Sequence, residues 1–253
     1  PKEVEDFFIT TPHQKNNVHS VRCGEFMNTS FLIDLTCSNC GISFSAEEVQ
    51  TFCMDCNSPL IASYDLDGAR EHIDRDEITK RNKGMWRWHE LLPVREPHNM
   101  VTMGEGDAAT LHLPRVGNTL GLSNLFVKDE SSNPTGSFKA RGLSAAISKA
   151  KELGIKKVII PTAGNAGGAM AAYAARAGMQ ALIYMPKDTP IANIIESRIA
   201  GAEVILMDGL ISDAAKLAGE TARADGWFDL STFKEPYRME GKKIMGYELA
   251  EFF

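Results

Sequence analysis

No segment of this 253-residue chain is apolar over the roughly 20 residues that a membrane-spanning helix requires. A surplus of positive charge is also missing, because 33 acidic residues against 27 Lys and Arg give a formal net charge of −6. The start of the chain, Pro1 to Asp6, is mainly acidic and resembles neither a secretory nor a transit signal. These absences favour a cytoplasmic protein and argue against a membrane or nucleic acid as its partner.

Cysteine is scarce, and four of the five Cys residues form two Cys-x-x-Cys pairs separated by twelve residues. These residues are Cys37, Cys40, Cys53 and Cys56. Two such pairs on facing turns can bind zinc through four thiolates, so we predict a structural zinc ribbon. A ribbon without metal and a redox pair remain the alternatives. Four Cys ligands leave no open position on the metal, which argues against metal catalysis. Cys23 lies outside the pattern and is expected to be a small buried apolar residue.

The predicted ribbon also lacks positive charge. Between Cys23 and Ala69 there is no Lys or Arg, whereas seven residues are Asp or Glu. Because binding to nucleic-acid phosphates requires the opposite sign of charge, we predict a structural or protein-contact role for the ribbon.

Lys139 follows Phe138 at the start of a predicted helix. A turn containing Pro134 and Gly136 precedes it, and apolar residues recur at helical spacing after it. The positive end of a helix dipole, together with partial burial, would lower the pKa of this amine and favour a nucleophile or Schiff-base residue. An ordinary solvated lysine at the start of an amphipathic helix is the alternative.

A second segment, Pro161 to Ala169, is rich in Gly and Ala and lies between a predicted strand and a predicted helix. Backbone N–H groups at such a helix start can bind an anion, and small residues let that anion approach closely. Asn165 adds a side chain that can donate and accept hydrogen bonds. The same glycines could instead serve close packing of the helix on a sheet.

Together the two segments read Asn-Pro-Thr-Gly-Ser-Phe-Lys-x-Arg-Gly at 133–142 and Thr-x-Gly-Asn-x-Gly at 162–167. This combination resembles the pyridoxal-phosphate enzymes of the tryptophan-synthase β-like fold, and most closely the threonine synthases. The resemblance implies that Lys139 forms the Schiff base with pyridoxal 5'-phosphate, that Phe138 adjoins the pyridine ring and that Asn165 hydrogen-bonds the phenolic oxygen. It also implies that the loop receiving the substrate carboxylate consists of Thr162, Gly164, Asn165 and Ala166.

The chain departs from the threonine synthase pattern at several positions. Ala140 follows the predicted Schiff-base lysine, where threonine synthases usually carry Asp and related dehydratases can carry Ala. No Gly-rich loop for the cofactor phosphate follows, and the chain ends in an amphipathic run, Gly246 to Phe253, without a capping Gly. We therefore expect a catalytic region that lacks its C-terminal part.

The resemblance implies conversion of O-phospho-L-homoserine and water to L-threonine and phosphate by a homodimer. Lys128, Lys234 and Arg238 are weak candidates for contacts to the substrate phosphate. A threonine or serine dehydratase, or another β-eliminating enzyme, is the first alternative because of Ala140. A non-catalytic zinc-ribbon binding protein with an inactive α/β remnant is the second.

Short apolar strands alternate with helices in the second half of the chain. We predict strands at Val158–Ile160, Ala181–Met185, Glu203–Met207 and Phe228–Leu230. We predict helices at Ala166–Ala177, Ile191–Ala200, Ile211–Asp225 and from Lys242 to the end. This order predicts an α/β fold with a parallel sheet covered by helices on both faces, and so three layers. The resemblance implies that this sheet is that of the tryptophan-synthase β-like fold, in incomplete form. We divide the chain into an N-terminal segment with the ribbon (1–64), a charged connector (65–100) and a catalytic region (101–253).

Overall fold

The computed structural model describes residues 30–253, so the predictions for the first 29 residues, Cys23 among them, lie outside the described part. The ribbon is a three-stranded antiparallel sheet in the order β2-β1-β3. Its strands are β1 (Leu32–Cys37), β2 (Ser43–Phe44) and β3 (Leu60–Tyr64). Two short helices follow in the predicted connector, α1 (Leu66–His72) and α2 (Arg75–Lys80). An Asp side chain, Asp65 or Asp74, caps the start of each.

The α/β region opens with a small antiparallel pair, β4 (Thr110–His112) and β5 (Phe126–Lys128), joined by α3 (Pro114–Leu120). A parallel sheet in the order β8-β7-β6-β9 follows. Its strands are β6 (Lys157–Pro161), β7 (Gln180–Pro186), β8 (Glu203–Met207) and β9 (Phe228–Asp229). Its helices are α4 (Lys139–Glu152), α5 (Asn165–Arg176), α6 (Ile191–Ile199), α7 (Ile211–Asp225) and α8 (Tyr237–Phe252).

This arrangement confirms the predicted parallel α/β fold with three layers. Side chains alternate along β6, so that Val158 and Ile160 join the large core on the α4–α5 side, whereas Ile159 packs with Ala218 of α7. Both faces of the sheet are therefore covered by helices, as the continuous apolar strands require.

The last helix begins earlier than predicted. We expected it at Lys242, but α8 starts at Tyr237 because the buried Glu235 side chain accepts hydrogen bonds from the backbone N–H groups of Tyr237 and Arg238. This capping satisfies donors that would otherwise be unpaired at a buried helix start. The correction matters because it places Arg238 on the first turn of a helix.

The ribbon packs directly on the α/β region. Leu35 and Cys37 of β1 belong to the same buried cluster as Ile160 and Ala169 of the α/β core. Lys243 of α8 lies with its Nζ 3.7 Å from the ring centroid of Tyr64 in β3, a cation–π contact. The ribbon and the α/β region thus share one core, and the division at residues 64 and 100 stays a prediction.

Helices α4 and α8 cross at very close range. A Cβ atom on Gly241 would lie 2.0 Å from the carbonyl oxygen of Arg141, and one on Gly142 would lie 2.8 Å from that of Arg238. Only glycine at both positions allows this crossing. Beside it, Trp86 and Trp88 pack with Ile244 and Tyr247. No helix within residues 30–253 is long and apolar enough to cross a membrane.

Candidate active site

A cavity of about 210 Å³ lies at the edge of the sheet where β6 and β9 end. The end of β6 and the first turn of α5 form one wall, and the loop after β9 forms another. Of the predicted site residues, it brings together Lys139, Thr162, Gly164, Asn165 and Ala166. Ligands of parallel α/β proteins bind at this edge, outside the carboxyl ends of the strands.

Lys139 is the first residue of α4, as predicted, and its Nζ lies 4.2 Å from the ring centroid of Phe138. The pKa of its amine is lowered, first by burial and second by the nearby positive charge of Arg238. The sequence interpretation attributed this lowering to the helix dipole and to burial. Arg238 is the contribution that only the folded chain reveals, because it is almost one hundred residues away in the sequence.

In the loop from Thr162 to Ala166, the backbone N–H of Thr162 donates to the carbonyl oxygen of Tyr184 at 3.0 Å, so an anion could be met only by N–H groups further along the loop. Gly164 precedes α5 and offers no side chain to cap the helix, while its own N–H donates to Thr162 Oγ1 at 3.1 Å. The first N–H groups of α5 therefore face the cavity edge without a side-chain cap. Gly167 serves packing instead, since a Cβ there would lie 2.9 Å from Met185 and from Thr162. The packing interpretation therefore applies to Gly167, whereas anion binding by the loop stays a prediction.

Arg238 reaches the same cavity from α8. Its side chain is buried, Nη1 donates to the carbonyl oxygen of Leu230 at 2.5 Å, and Nε has no hydrogen-bond partner within residues 30–253. Burial lowers its pKa, while Glu235 and Asp229 oppose the shift. A buried guanidinium N–H without an acceptor is uncommon, and an anion in the cavity would satisfy it.

The other two candidates for phosphate contacts are occupied elsewhere. Lys128 Nζ lies 2.7 Å from Glu248 Oε2 and donates to the carbonyl oxygen of Ala108 at 2.9 Å. Lys234 Nζ lies 2.9 Å from Asp229 Oδ2. Arg238 alone of the three lines the cavity.

Lys242 is a second amine near this cavity, although it does not line it, and the sequence interpretation missed it. Its Nζ lies 5.9 Å from the ring centroid of Phe138. The pKa of Lys242 is lowered by burial and then by Arg238 and Lys139, while Glu235 opposes the shift. The spacing of four residues from Arg238 places both cations on one helix face, a signal that becomes readable once α8 is known to start at Tyr237.

A buried ion network fixes α4 next to Lys139. Arg141 is fully buried, and its guanidinium donates two hydrogen bonds each to Glu130 and Glu248, one at 2.6 Å and one at 2.8 Å in both pairs. Lys128 completes the network at Glu248. The turn before it holds Thr135 in a left-handed backbone conformation, with φ at 62°. That conformation is rare for a β-branched residue, so the surrounding packing must impose it.

The four predicted zinc ligands lie together in the ribbon, and their Sγ atoms are all within 4.8 Å of one another. The separations are 3.4 Å for Cys37 and Cys56, 3.5 Å for Cys40 and Cys53, and 3.7 Å for Cys40 and Cys56. Tetrahedral zinc with Zn–S bonds of about 2.3 Å places sulfur atoms about 3.8 Å apart. The four thiols therefore fit a closed zinc site and are too far apart for disulfides.

The fold is a parallel α/β fold, and one cavity at the carboxyl edge of its sheet holds an amine of lowered pKa beside the start of a helix that has no side-chain cap. The chain belongs to the family "pyridoxal-phosphate dependent enzyme", whose model matches residues 101–253. An amine, a flat aromatic ring, unpaired N–H donors and a buried guanidinium are groups that fit an aldehyde cofactor and an anionic substrate.

Several curated relatives are threonine synthases. The enzyme of Methanosarcina acetivorans is 33% identical over 219 residues, 86% of this chain and 53% of the relative. That of Methanocaldococcus jannaschii is 30% identical over 216 residues, 85% of this chain and 53% of the relative. That of a Synechocystis strain is 38% identical over 162 residues, 63% of this chain and 42% of the relative. The chain thus spans about half the length of the curated relatives it matches.

Solved structures share the fold at lower identity. Threonine deaminase isoform 2 of Solanum lycopersicum has a TM-score of 0.55 at 23% identity, over 72% of this chain and 50% of that chain. Diaminopropionate ammonia lyase of Escherichia coli in its apo form also has a TM-score of 0.55, at 24% identity, over 60% of this chain and 49% of that chain. These likenesses confirm the fold type.

Proposed function

We propose that this protein is a pyridoxal-phosphate-dependent lyase of the threonine synthase type, which converts O-phospho-L-homoserine and water to L-threonine and phosphate. The observation that carries the proposal is the single cavity shared by the Lys139 amine, the 162–166 loop and Arg238. The threonine synthase relatives support the choice of reaction. A homodimer, a cytoplasmic location and the three-part division of the chain belong to the same proposal.

Each residue of the cavity has a role in this proposal. When bound, pyridoxal phosphate supplies the electron sink for cleavage at the substrate α-carbon. Lys139 holds the cofactor and then moves protons at the substrate carbons with the same amine, which its lowered pKa favours. Phe138 provides a flat face beside that amine, and Asn165 provides a hydrogen bond at the mouth of the cavity.

The remaining residues bind the two anionic groups of the substrate. The N–H groups at the start of α5, in the loop formed by Thr162, Gly164, Asn165 and Ala166, receive the α-carboxylate. Arg238 receives the phosphate, since its Nε is buried beside the cavity without a partner in residues 30–253. The four Cys residues of the ribbon hold zinc as a structural ion, because a site made of four thiolates has no open position.

Covalent trapping tests the role of Lys139. The chain is incubated with pyridoxal phosphate and borohydride, and the labelled peptide is identified by mass spectrometry. We expect the label on Lys139, its loss in Lys139→Ala, and its retention in Lys242→Ala, the matched control on the neighbouring amine. Labelling of Lys242 in the unmodified chain, or equal labelling of Lys139→Ala, would contradict the assignment.

A dehydratase is the second candidate, because Ala140 is fully buried and offers no carboxylate next to Lys139. The products separate the two candidates. A threonine synthase releases phosphate from O-phospho-L-homoserine, whereas a dehydratase forms ammonia and a keto acid from threonine or serine. We expect phosphate release, and we expect Arg238→Gln to raise the KM for the phosphorylated substrate by about tenfold or more, as for a lost charge-assisted hydrogen bond. Keto acid from threonine without phosphate release would favour the dehydratase.

A further inference from the structure

A larger cavity, of about 630 Å³, lies at the opposite edge of the sheet, where β6 and β9 begin. We call it the ribbon groove, because Phe52 of the ribbon forms one side and Trp227 and Phe228 form the other. Ile155 and Ala222 complete an apolar lining. Its volume falls within the range of about 300–1,000 Å³ that is typical of small-molecule sites. None of the residues that line the active-site cavity contributes to it.

The rim of the ribbon groove is strongly positive, in contrast to the net charge of −6 of the chain. Its cationic side chains are those of Lys156, Lys157, Arg223 and Lys234. Among the described residues, Asp229 is the one carboxylate on the lining, and its Oδ2 lies 2.9 Å from Lys234 Nζ in an ion pair. Within residues 30–253, Lys156, Lys157 and Arg223 make no ion pair. Lys157 lies over the ring of Trp227, with its Nζ 5.6 Å from the centroid.

An apolar cavity with surplus cations at its mouth is suited to one class of ligand. We propose that the ribbon groove binds a small organic anion with a flat apolar body, such as an aromatic carboxylate. The body packs between Phe52 and Trp227, which excludes water from the two rings. The carboxylate meets Lys157 and Arg223 at the rim, where no acid of the described residues competes for them. A neutral ligand of the same shape could pack between the rings but could not form the charged contacts with Lys157 and Arg223.

The ribbon groove adjoins the segment that leads to the active site. Asp229 holds Lys234 and also accepts a hydrogen bond from the backbone N–H of Ser231 at 2.9 Å. Ser231 and Thr232 line the active-site cavity.

The test uses 4-(trifluoromethyl)benzoate as the probe and follows its fluorine NMR signal with the full chain. The neutral 4-(trifluoromethyl)benzamide is the matched ligand control. Gly219→Leu fills the groove, since a Cβ at Gly219 has no atom nearer than 3.6 Å and a longer side chain extends into the lining. Gly219→Ala is its matched control. Arg223→Gln removes a rim charge, and Lys216→Gln removes an exposed charge of the same helix away from the groove.

We expect saturable binding of the benzoate, at least about tenfold tighter than the benzamide, as for loss of a charge-assisted contact. Arg223→Gln should weaken binding by about fivefold and Gly219→Leu should abolish it, whereas Gly219→Ala and Lys216→Gln should bind like the unmodified chain. Circular dichroism checks that each variant is folded. If Gly219→Leu does not fold, the comparison of Arg223→Gln with Lys216→Gln decides the test. Equal affinity for the benzamide, unchanged binding by a folded Gly219→Leu, or no saturable binding would overturn the proposal.

Discussion

Replacing Gly241 by Ala tests the close crossing of α4 and α8 on which the site depends. The new methyl group would lie 2.0 Å from the carbonyl oxygen of Arg141 and 2.6 Å from its carbonyl carbon. Both atoms belong to the backbone of a buried helix, so neither can move aside as a flexible side chain could. The two helices must therefore separate, and overpacking of this kind costs about 1–3 kcal/mol or more.

The separation also strains the ion pair between Arg141 and Glu248, which joins the same two helices at 2.6 Å. A buried pair that loses its geometry is expensive because its charges stay desolvated. We therefore expect Gly241→Ala to lower the free energy of unfolding by about 2–4 kcal/mol. For a chain of this size the midpoint of thermal unfolding falls by about 2–4 °C for each kcal/mol, hence by about 4–16 °C.

Gly246→Ala in the same helix is the matched control. A Cβ at Gly246 meets no atom within 4 Å, and the residue is exposed. Alanine should there stabilise the helix by about 0.5–1 kcal/mol through its higher helix propensity. Calorimetry of the two variants measures the difference. If Gly241→Ala melted at the temperature of Gly246→Ala, the close crossing of α4 and α8 would be wrong.

Three further predictions concern charge and metal. Metal analysis should find one zinc per chain. Removal of that zinc with a chelator, or Cys53→Ser, should lower the temperature of half-unfolding. A chain that contains no zinc and is fully stable would contradict the ribbon site. The pH of half-maximal labelling of Lys139 should lie below that of an exposed lysine, because burial and Arg238 lower its pKa, and Arg238→Gln should move it upward. An unchanged labelling pH in that variant would exclude the charge effect. Burial raises the pKa of Glu235 from 4.5 to about 7, so the folded state binds this proton more tightly than the unfolded state does. The free energy of unfolding should therefore fall by about 2–3 kcal/mol as the pH rises from about 4.5 to 7. Glu235→Gln should flatten this slope in urea titrations, and a slope that persists would assign it to another group.

The elements that could be predicted are those whose apolar pattern is local. β8 and α7 have the predicted bounds, Glu203–Met207 and Ile211–Asp225, because short apolar runs and helical spacing are complete within each segment. The predicted start of α8 was wrong, since its buried residues include Arg238, Glu240 and Glu248, which a hydrophobic pattern assigns to the surface. Their burial depends on partners elsewhere in the chain.

The same distinction separates the predictable part of the site from the rest. Lys139 and the 162–166 loop each carry a local signal, a helix start or a glycine-rich turn, so both could be proposed from the sequence. Arg141 and Glu248 are 107 positions apart, and nothing in either neighbourhood indicates that they form a pair. The ion network that fixes α4 is therefore a property of the tertiary fold alone.

The electrostatic potential of the cavity is positive, and this too results from tertiary contacts. Lys139 and Arg238 line the cavity, and Lys242 lies close enough to interact with both. The carboxyl of the nearby Glu235 has a pKa of about 7 and accepts the hydrogen bonds that cap α8. Burial, and after it the positive charge of Arg238, lowers the pKa of both amines, which favours Lys139 as a nucleophile. An anion bound at Arg238 would offset that positive charge and raise the pKa of Lys139 again. We therefore expect the amine to be the better nucleophile before an anionic substrate arrives and the better proton donor after it has bound.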